Sequence, residues 1–320
     1  MPAIIADPQD VTAEWLTEVL QHGGYTGEVA TFERQSIGTG QVGQNVRFAL
    51  AYAAGSGPRT LVGKFASADP TSRATGRIQN NYVREVRFYQ ELRPTLDIRT
   101  PRLLFTDIDT AQDSFCLMME DLAPAAQGDQ MAGCSTAEAG LALKEAAGLH
   151  GPRWGDDSLL SLAWLHRPSP ENVAAGQTLY DQVFPGFVER YRDRLSPTHV
   201  DVARRLGAGF TAWATSYQGP LTVTHGDYRL DNMLFGGRYP LTVVDWQTPA
   251  IGGALSDVSY FLGAGLLPEA RRASERDLVR GYHEHLCARG VSGYSFEACW
   301  DDYRRFSFSG LLMAVVASMI

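Results

Sequence analysis

A chain of 320 residues with 44% apolar side chains has enough material for one large domain or two lobes with real cores. Its net charge of −8 and pI of about 5.4 argue against nucleic acid or an anionic membrane surface as the main partner. No apolar run reaches the roughly 18 residues of a membrane span, the N-terminus "MPAIIADPQDVTAEW" has no secretory-signal pattern, and the unpatterned Cys116, Cys134, Cys287 and Cys299 read as reduced thiols of a cytoplasmic protein, not zinc ligands.

In chain order, "TAEWLTEVLQ" (12–21) has helical spacing, with Asp10 or Thr12 as its cap. Short alternating segments follow at 31–37, 45–52 and 60–66, separated by Gly-rich turns. In the second, Val46, Phe48 and Leu50 share a face, as period-2 pleating requires. A helix is predicted at about 80–93, then strands at 102–109 and 114–122. Residues 123–135 read as loop. Helices follow at about 136–150, 178–194 and 198–217, three short β segments at 221–245, and helices at about 256–265, 268–289 and 296–320. The last ends in apolar "GLLMAVVASMI" with no stop signal, as though the chain continued. The pattern predicts an α+β fold with a β-rich lobe over 1–118, a hinge at 119–124 and a mostly helical lobe over 125–320.

The densest polar stretch is "TVTHGDYRLDNMLF" (222–235). A strand leads into His225-Gly226-Asp227, Asn232 opens the next apolar run, and "LTVVD" returns to end in Asp245. A hairpin would set Asn232 beside Asp245, with Asp227 on the loop before them. Two carboxylates and an amide oxygen form a hard-oxygen set, suited to Mg²⁺ and not to zinc. Asp227 to Asn232 is five residues and Asn232 to Asp245 thirteen, an order that kinases use to take a hydroxyl proton and hold the metals on the phosphates.

On these residues the chain resembles the aminoglycoside phosphotransferase and choline kinase superfamily, which has a two-lobed protein-kinase-like fold. "HGDYRLDN" is similar to its H-x-D-x-x-x-x-N catalytic loop, "VVDWQ" stands in place of the kinase D-F-G, and Asp257 matches the Asp that braces the loop. "NMLF" with "DWQ" leans toward the ecdysteroid-kinase-like branch. The resemblance implies that Asp227 is the proton acceptor, Asn232 and Asp245 the Mg²⁺ ligands and His225 scaffolding. Arg229 is either a contact to the transferred phosphate or a surface arginine.

The first lobe contains Gly38-x-Gly40-x-x-Gly43. A dinucleotide-binding fingerprint would need a helix after the glycines and an acid about twenty residues later. Instead a β-patterned strand follows, and no Asp or Glu lies between Glu33 and Asp69. The glycines therefore fit a hairpin whose backbone approaches phosphate oxygens, although Val46 comes three residues after Gly43, where protein kinases have two. Only Lys64 and Lys144 among the 28 basic residues are lysines. Lys64 lies two after Val62 on one strand face, where an ammonium needs a carboxylate partner. Glu85, inside the helical stripe Tyr82, Val86, Tyr89 and Leu92, is the candidate, with Glu91 as a substitute. In the resembling kinases such a pair holds ATP phosphates. There the hinge binds adenine through main chain, here at Glu120 and Leu122, with Leu234 below the base and Ile37, Val46 and Val62 above.

The expected activity is ATP- and Mg²⁺-dependent phosphoryl transfer to a hydroxyl of a small molecule. Only eleven residues separate Asp245 from Asp257, too few for the long activation loop that protein substrates need. The second lobe is acidic, which would suit a cationic acceptor, and it offers aromatics such as Trp154, Trp164, Tyr180, Phe184 and Tyr260 but no diagnostic acceptor motif. The alternatives are a nucleotide-binding pseudokinase without turnover and an antibiotic-resistance kinase of the aminoglycoside type.

Overall fold

The computed structural model describes residues 1–38, 42–112, 114–167 and 169–319. In chain order the elements are α1 (Ala13–His22), β1 (Glu28–Ile37), β2 (Gly43–Ala54), β3 (Thr60–Ala66), α2 (Pro70–Ile78), α3 (Asn81–Arg87), β4 (Leu103–Asp109), β5 (Ser114–Glu120) and β6 (Ala126–Gln127). They continue as α4 (Thr136–His150), α5 (Pro170–Arg190), α6 (Pro197–Ala208), α7 (Phe210–Thr215), β7 (Leu221–Thr224), β8 (Met233–Phe235), β9 (Leu241–Val243) and β10 (Ala250–Gly253), then α8 (Leu255–Gly265), α9 (Pro268–Cys287) and α10 (Phe296–Ala317). The fold is α+β. The chain forms two compact units: Met1–Gln127 with Met233–Pro249, and Gly128–Asn232 with Ala250–Ile320.

The first unit is built on an antiparallel sheet of order β1-β2-β3-β5-β4. Alternation decides which residues face inward: Val46 and Phe48 are buried on β2, and Leu50 packs against them. Helix α1, capped where the Thr12 hydroxyl accepts from Trp15 N–H at 3.2 Å, lays Trp15, Leu16, Val19 and Leu20 on this core. Helix α3 continues into a wider π-type turn over Phe88–Leu92. Its Tyr82 ring stacks on Phe115 at 4.4 Å between centroids. A three-stranded sheet, β6-β8-β9, completes the unit, with Met233 opposite Val243 in the β8–β9 hairpin.

The second unit is mostly helical, with α4 packed on α9 and α8 on α10. The stretch expected as one helix at 198–217 is two, α6 and α7, divided at Gly209. Strands β7 and β10 pair antiparallel with Val223 opposite Ile251. A separate apolar cluster joins Tyr180 and Phe187 of α5 to Val315 of α10. Among the described residues no helix is long and apolar enough to cross a membrane.

Close approach fixes one glycine in the sheet. A Cβ on Gly63 of β3 would lie 2.7 Å from the Phe65 ring, 2.9 Å from the Met118 sulfur and 3.0 Å from the Phe48 ring. Gly63→Val should lower the stability of the first unit by about 3 kcal/mol, the range of overpacked cores. Gly140→Ala, where nothing lies within 4 Å of a new Cβ in the middle of α4, should stabilise by up to about 1 kcal/mol. Urea unfolding of both variants checks the contrast, and equal effects would contradict it.

Candidate active site

In the first unit the site is organised by Lys64. Its position on β3 turns the side chain inward, and the Nζ lies 2.8 Å from Glu85 Oε1 on α3 and 2.8 Å from Asp245 Oδ1. Glu85, not Glu91, is thus the partner; Glu91 pairs with Arg87 at 2.6 Å. Burial by itself would push the Lys64 ammonium down, but Asp245 and Glu85 outweigh it and hold it above the ordinary lysine value. A Cβ on Gly43, the first residue of β2, would sit 3.3 Å from Lys64 Cε and 3.2 Å from the Phe65 carbonyl oxygen, so glycine there leaves room for the lysine stem.

Asp245 follows β9 with φ of +64°, a backbone that L side chains rarely adopt. The neighbouring side chain holds it there: Trp246 stacks on Phe88 with centroids 3.8 Å apart and planes 3° from parallel. Gln247, one residue on, is buried, and its influence on Glu85 favours the charged carboxylate. Alternate residues of "DWQ" thereby serve one cation and one aromatic stack. Neither Gln247 nor Phe88 was singled out from sequence.

The remaining first-unit candidates take these places. Gly38 has φ of +70°, in the left-handed region that glycine tolerates; Gly40 lies outside the described residues. Val46 is buried, and Val62, opposite Met119, and Leu234, opposite Thr242, are half-buried. Glu120 N–H donates to the Arg102 carbonyl at 2.9 Å, and the Leu122 carbonyl accepts from Ala125 N–H at 2.9 Å. Between them Asp121 takes a two-pronged contact from Arg47 of β2, Nε to Oδ2 at 2.6 Å and Nη2 to Oδ1 at 3.1 Å. Burial would raise this carboxyl; Arg47 and the Ala123 N–H overcome that and hold it below the ordinary range. An Arg at a β2 position facing an acid some seventy residues on leaves no local pattern.

In the second unit the loop after β7 is held from behind by Asp257 in the first turn of α8. Asp257 Oδ2 accepts from His225 N–H at 2.7 Å and Oδ1 from Gly226 N–H at 3.1 Å. His150 Nε2 lies 3.2 Å from the same Oδ2, and His150 Nδ1 lies 2.7 Å from the Tyr282 hydroxyl. His225 is wholly buried, and its Nδ1 accepts from Asp227 N–H at 3.3 Å. Tyr228 points away into the core, donating to the Ala142 carbonyl at 2.6 Å.

Asp227 is thereby turned toward solvent, with its side chain 34% exposed. Asn232 Nδ2 donates to the Asp227 carbonyl and to Asp227 Oδ2, each at 2.9 Å. Arg229 sits between two carboxylates, 3.2 Å from Asp227 Oδ2 and 3.2 Å from Asp231 Oδ2. Tyr260, on the next turn of α8 after Asp257, donates to Asp227 Oδ1 at 3.3 Å. Burial, with Asp227 beside it, pushes the Tyr260 phenol up to about 12, so it is a donor throughout the working pH range.

Two chemistries follow from these arrangements. The first unit presents a fixed ammonium beside a half-exposed carboxylate, and the second presents a solvent-reachable carboxylate steadied by an amide. Lys64→Met would leave Glu85 and Asp245 facing each other without a cation, and should cost about 3–5 kcal/mol at neutral pH, as for other broken buried pairs. Because the folded ammonium is raised, its contribution is complete below about pH 10.4 and is lost as pH climbs above that value. Wild-type stability should therefore converge on that of Lys64→Met in alkali, read from urea midpoints across a pH series. Curves that stay parallel would contradict the assignment.

A family model described as the phosphotransferase enzyme family matches residues 49–295. No curated protein matches the chain. Among solved structures, choline kinase from Cryptosporidium parvum Iowa II is 9% identical, over 90% of this chain and 84% of that one, with a TM-score of 0.56. Macrolide 2'-phosphotransferase type I is 14% identical over 99% and 93%, with a TM-score of 0.52. The GDP complex of wild-type aminoglycoside 2'-phosphotransferase-IIIa is 15% identical over 91% and 95%, also at 0.52. At these identities the likeness is one of fold, the protein-kinase-like one. With most of its length matched by the family model, the chain belongs to the phosphotransferase enzyme family.

Proposed function

We propose that the chain transfers the γ-phosphate of ATP, with Mg²⁺, to a hydroxyl group of a small molecule. The observation that carries this reading is the Lys64 ammonium, held at 2.8 Å by both Glu85 and Asp245. A buried cation locked to a strand and a helix is suited to bridging phosphate oxygens and costs no reorganisation when they arrive.

Each residue then has a part. The acceptor oxygen attacks the γ-phosphorus, the bond to the β-bridging oxygen breaks, ADP leaves, and the acceptor's proton passes to the Asp227 carboxylate. Lys64, positioned by Glu85, offsets charge on the α- and β-phosphates. Gly38, Gly40 and Gly43 let backbone N–H groups cover the phosphates. Val46, Val62 and Leu234 enclose the base, and main chain at Glu120 and Leu122 binds it. Arg229, already between two carboxylates, would meet the transferred phosphate.

The two residues proposed to hold Mg²⁺ carry the donor atoms it prefers. Asp245 supplies a carboxylate, and Asn232 uses its Nδ2 on Asp227, which leaves the amide oxygen as its metal-binding atom; both are the hard oxygens that Mg²⁺ prefers. When bound, the ion would neutralise charge on the phosphates. Aminoglycosides, macrolides and choline are the acceptors named by the similar structures, and they head the acceptor panel, followed by sugars and sterols.

The test is ATP consumption across that panel. Asp227→Ala should lower turnover of a verified acceptor by about 10²–10⁴-fold, the usual contribution of a positioned proton acceptor, with ADP affinity kept. An Asp227→Ala enzyme with wild-type turnover would sink the proposal; ADP binding with no turnover of any acceptor would favour a binding-only protein.

A further inference from the structure

The two oxygens of Asp227 have different company. Oδ2 accepts from Asn232 Nδ2 at 2.9 Å and faces Arg229 Nε at 3.2 Å. Oδ1 meets one donor among the described residues, the Tyr260 hydroxyl at 3.3 Å. That hydroxyl is carried by α8, the helix whose Asp257 fixes the loop through the His225 and Gly226 N–H groups. Its position relative to the carboxylate is therefore set by one rigid element.

The length of this contact is informative. A hydroxyl bound firmly to a carboxylate closes to about 2.5–2.7 Å, so a contact at 3.3 Å is a weak one that a better donor displaces. Asp227 is also reachable by water, with about a third of its side chain exposed. Oδ2 already accepts from the Asn232 amide and lies beside the Arg229 cation, so Oδ1, with its weaker donor, is the oxygen more open to a nucleophile's proton. Water and an acceptor hydroxyl compete for the same atom.

We propose that Tyr260 is a positioning residue that selects against water as the acceptor: its hydroxyl occupies Oδ1 until a hydroxyl held by further contacts takes its place. A bound acceptor brings the binding energy of its whole body to that exchange, whereas a single water gains one hydrogen bond and displaces one. In hydrolysis the water oxygen would attack the γ-phosphorus, the β–γ bridge would break to give ADP and inorganic phosphate, and the proton would go to Oδ1, as in transfer. Tyr260 raises the cost of that route and leaves transfer to a bound acceptor open. The inference rests on Asp227 being the proton acceptor of a kinase.

The experiment is acceptor-free ATP hydrolysis with Mg²⁺, which requires no knowledge of the natural acceptor. Tyr260→Phe removes only the hydroxyl and should hydrolyse ATP about three- to ten-fold faster than wild type, the effect of one hydrogen bond. The double variant Asp227→Ala/Tyr260→Phe should show no such gain. A folding defect slows an enzyme, so acceleration is not a structural by-product, and melting temperatures within a few degrees confirm the fold. Hydrolysis by Tyr260→Phe at or below the wild-type rate, or a gain that survives loss of Asp227, overturns the inference while ADP binding by calorimetry leaves the kinase reading standing. Wild-type protein that does not bind ADP overturns the kinase reading and this inference with it.

Discussion

An ammonium out of water must be met by anions or give up its charge, and the first unit is arranged around meeting the one on Lys64. Two carboxylates reach it at 2.8 Å, one from α3 and one from the turn after β9. To bring them there the unit needs a glycine at the head of β2, an inward position on β3, a helix set against the sheet, and a returning hairpin from more than a hundred residues later. Trp246 on Phe88 holds that hairpin's exit, and the buried Gln247 follows it. Cation, aromatic stack and backbone turn are one construction.

The second unit solves the inverse problem with a buried anion. Asp257 is almost wholly enclosed, and it is met by two backbone N–H groups and the His150 ring. Backbone donors make a stiffer grip than side chains, because they have no rotamers to lose. The loop between His225 and Asn232 is therefore fixed at its start, and Asp227 is aimed by the chain itself. A carboxylate exposed enough to react is steadied by one buried enough not to.

Much of this was legible in the residues. The scarcity of lysine made Lys64 conspicuous, and a single acid within an apolar helical stripe identified Glu85. The 225–232 spacing with "VVD" downstream was specific enough to locate the loop. Local chemistry also marks the start of α2: Asp69 accepts from Ser72 N–H at 2.7 Å and Pro70 opens the first turn. What sequence alone does not carry is the pairing of distant groups. Arg47 with Asp121 and Tyr260 with Asp227 each join residues whose spacing follows no helix or strand period. Nor does a linear boundary express that Met233–Pro249 groups with residues 1–127.

The left-handed backbone at Asp245 narrows what chemistry the position can ever hold. Glycine adopts φ of +64° with ease but brings no charge, and asparagine tolerates it but is neutral. Glutamate has the charge, yet its longer stem gains nothing from local hydrogen bonding in that conformation and would displace the carboxylate from Lys64. Of the common side chains, aspartate alone satisfies backbone and electrostatics together, so any drift away from aspartate here surrenders either the turn or the anion.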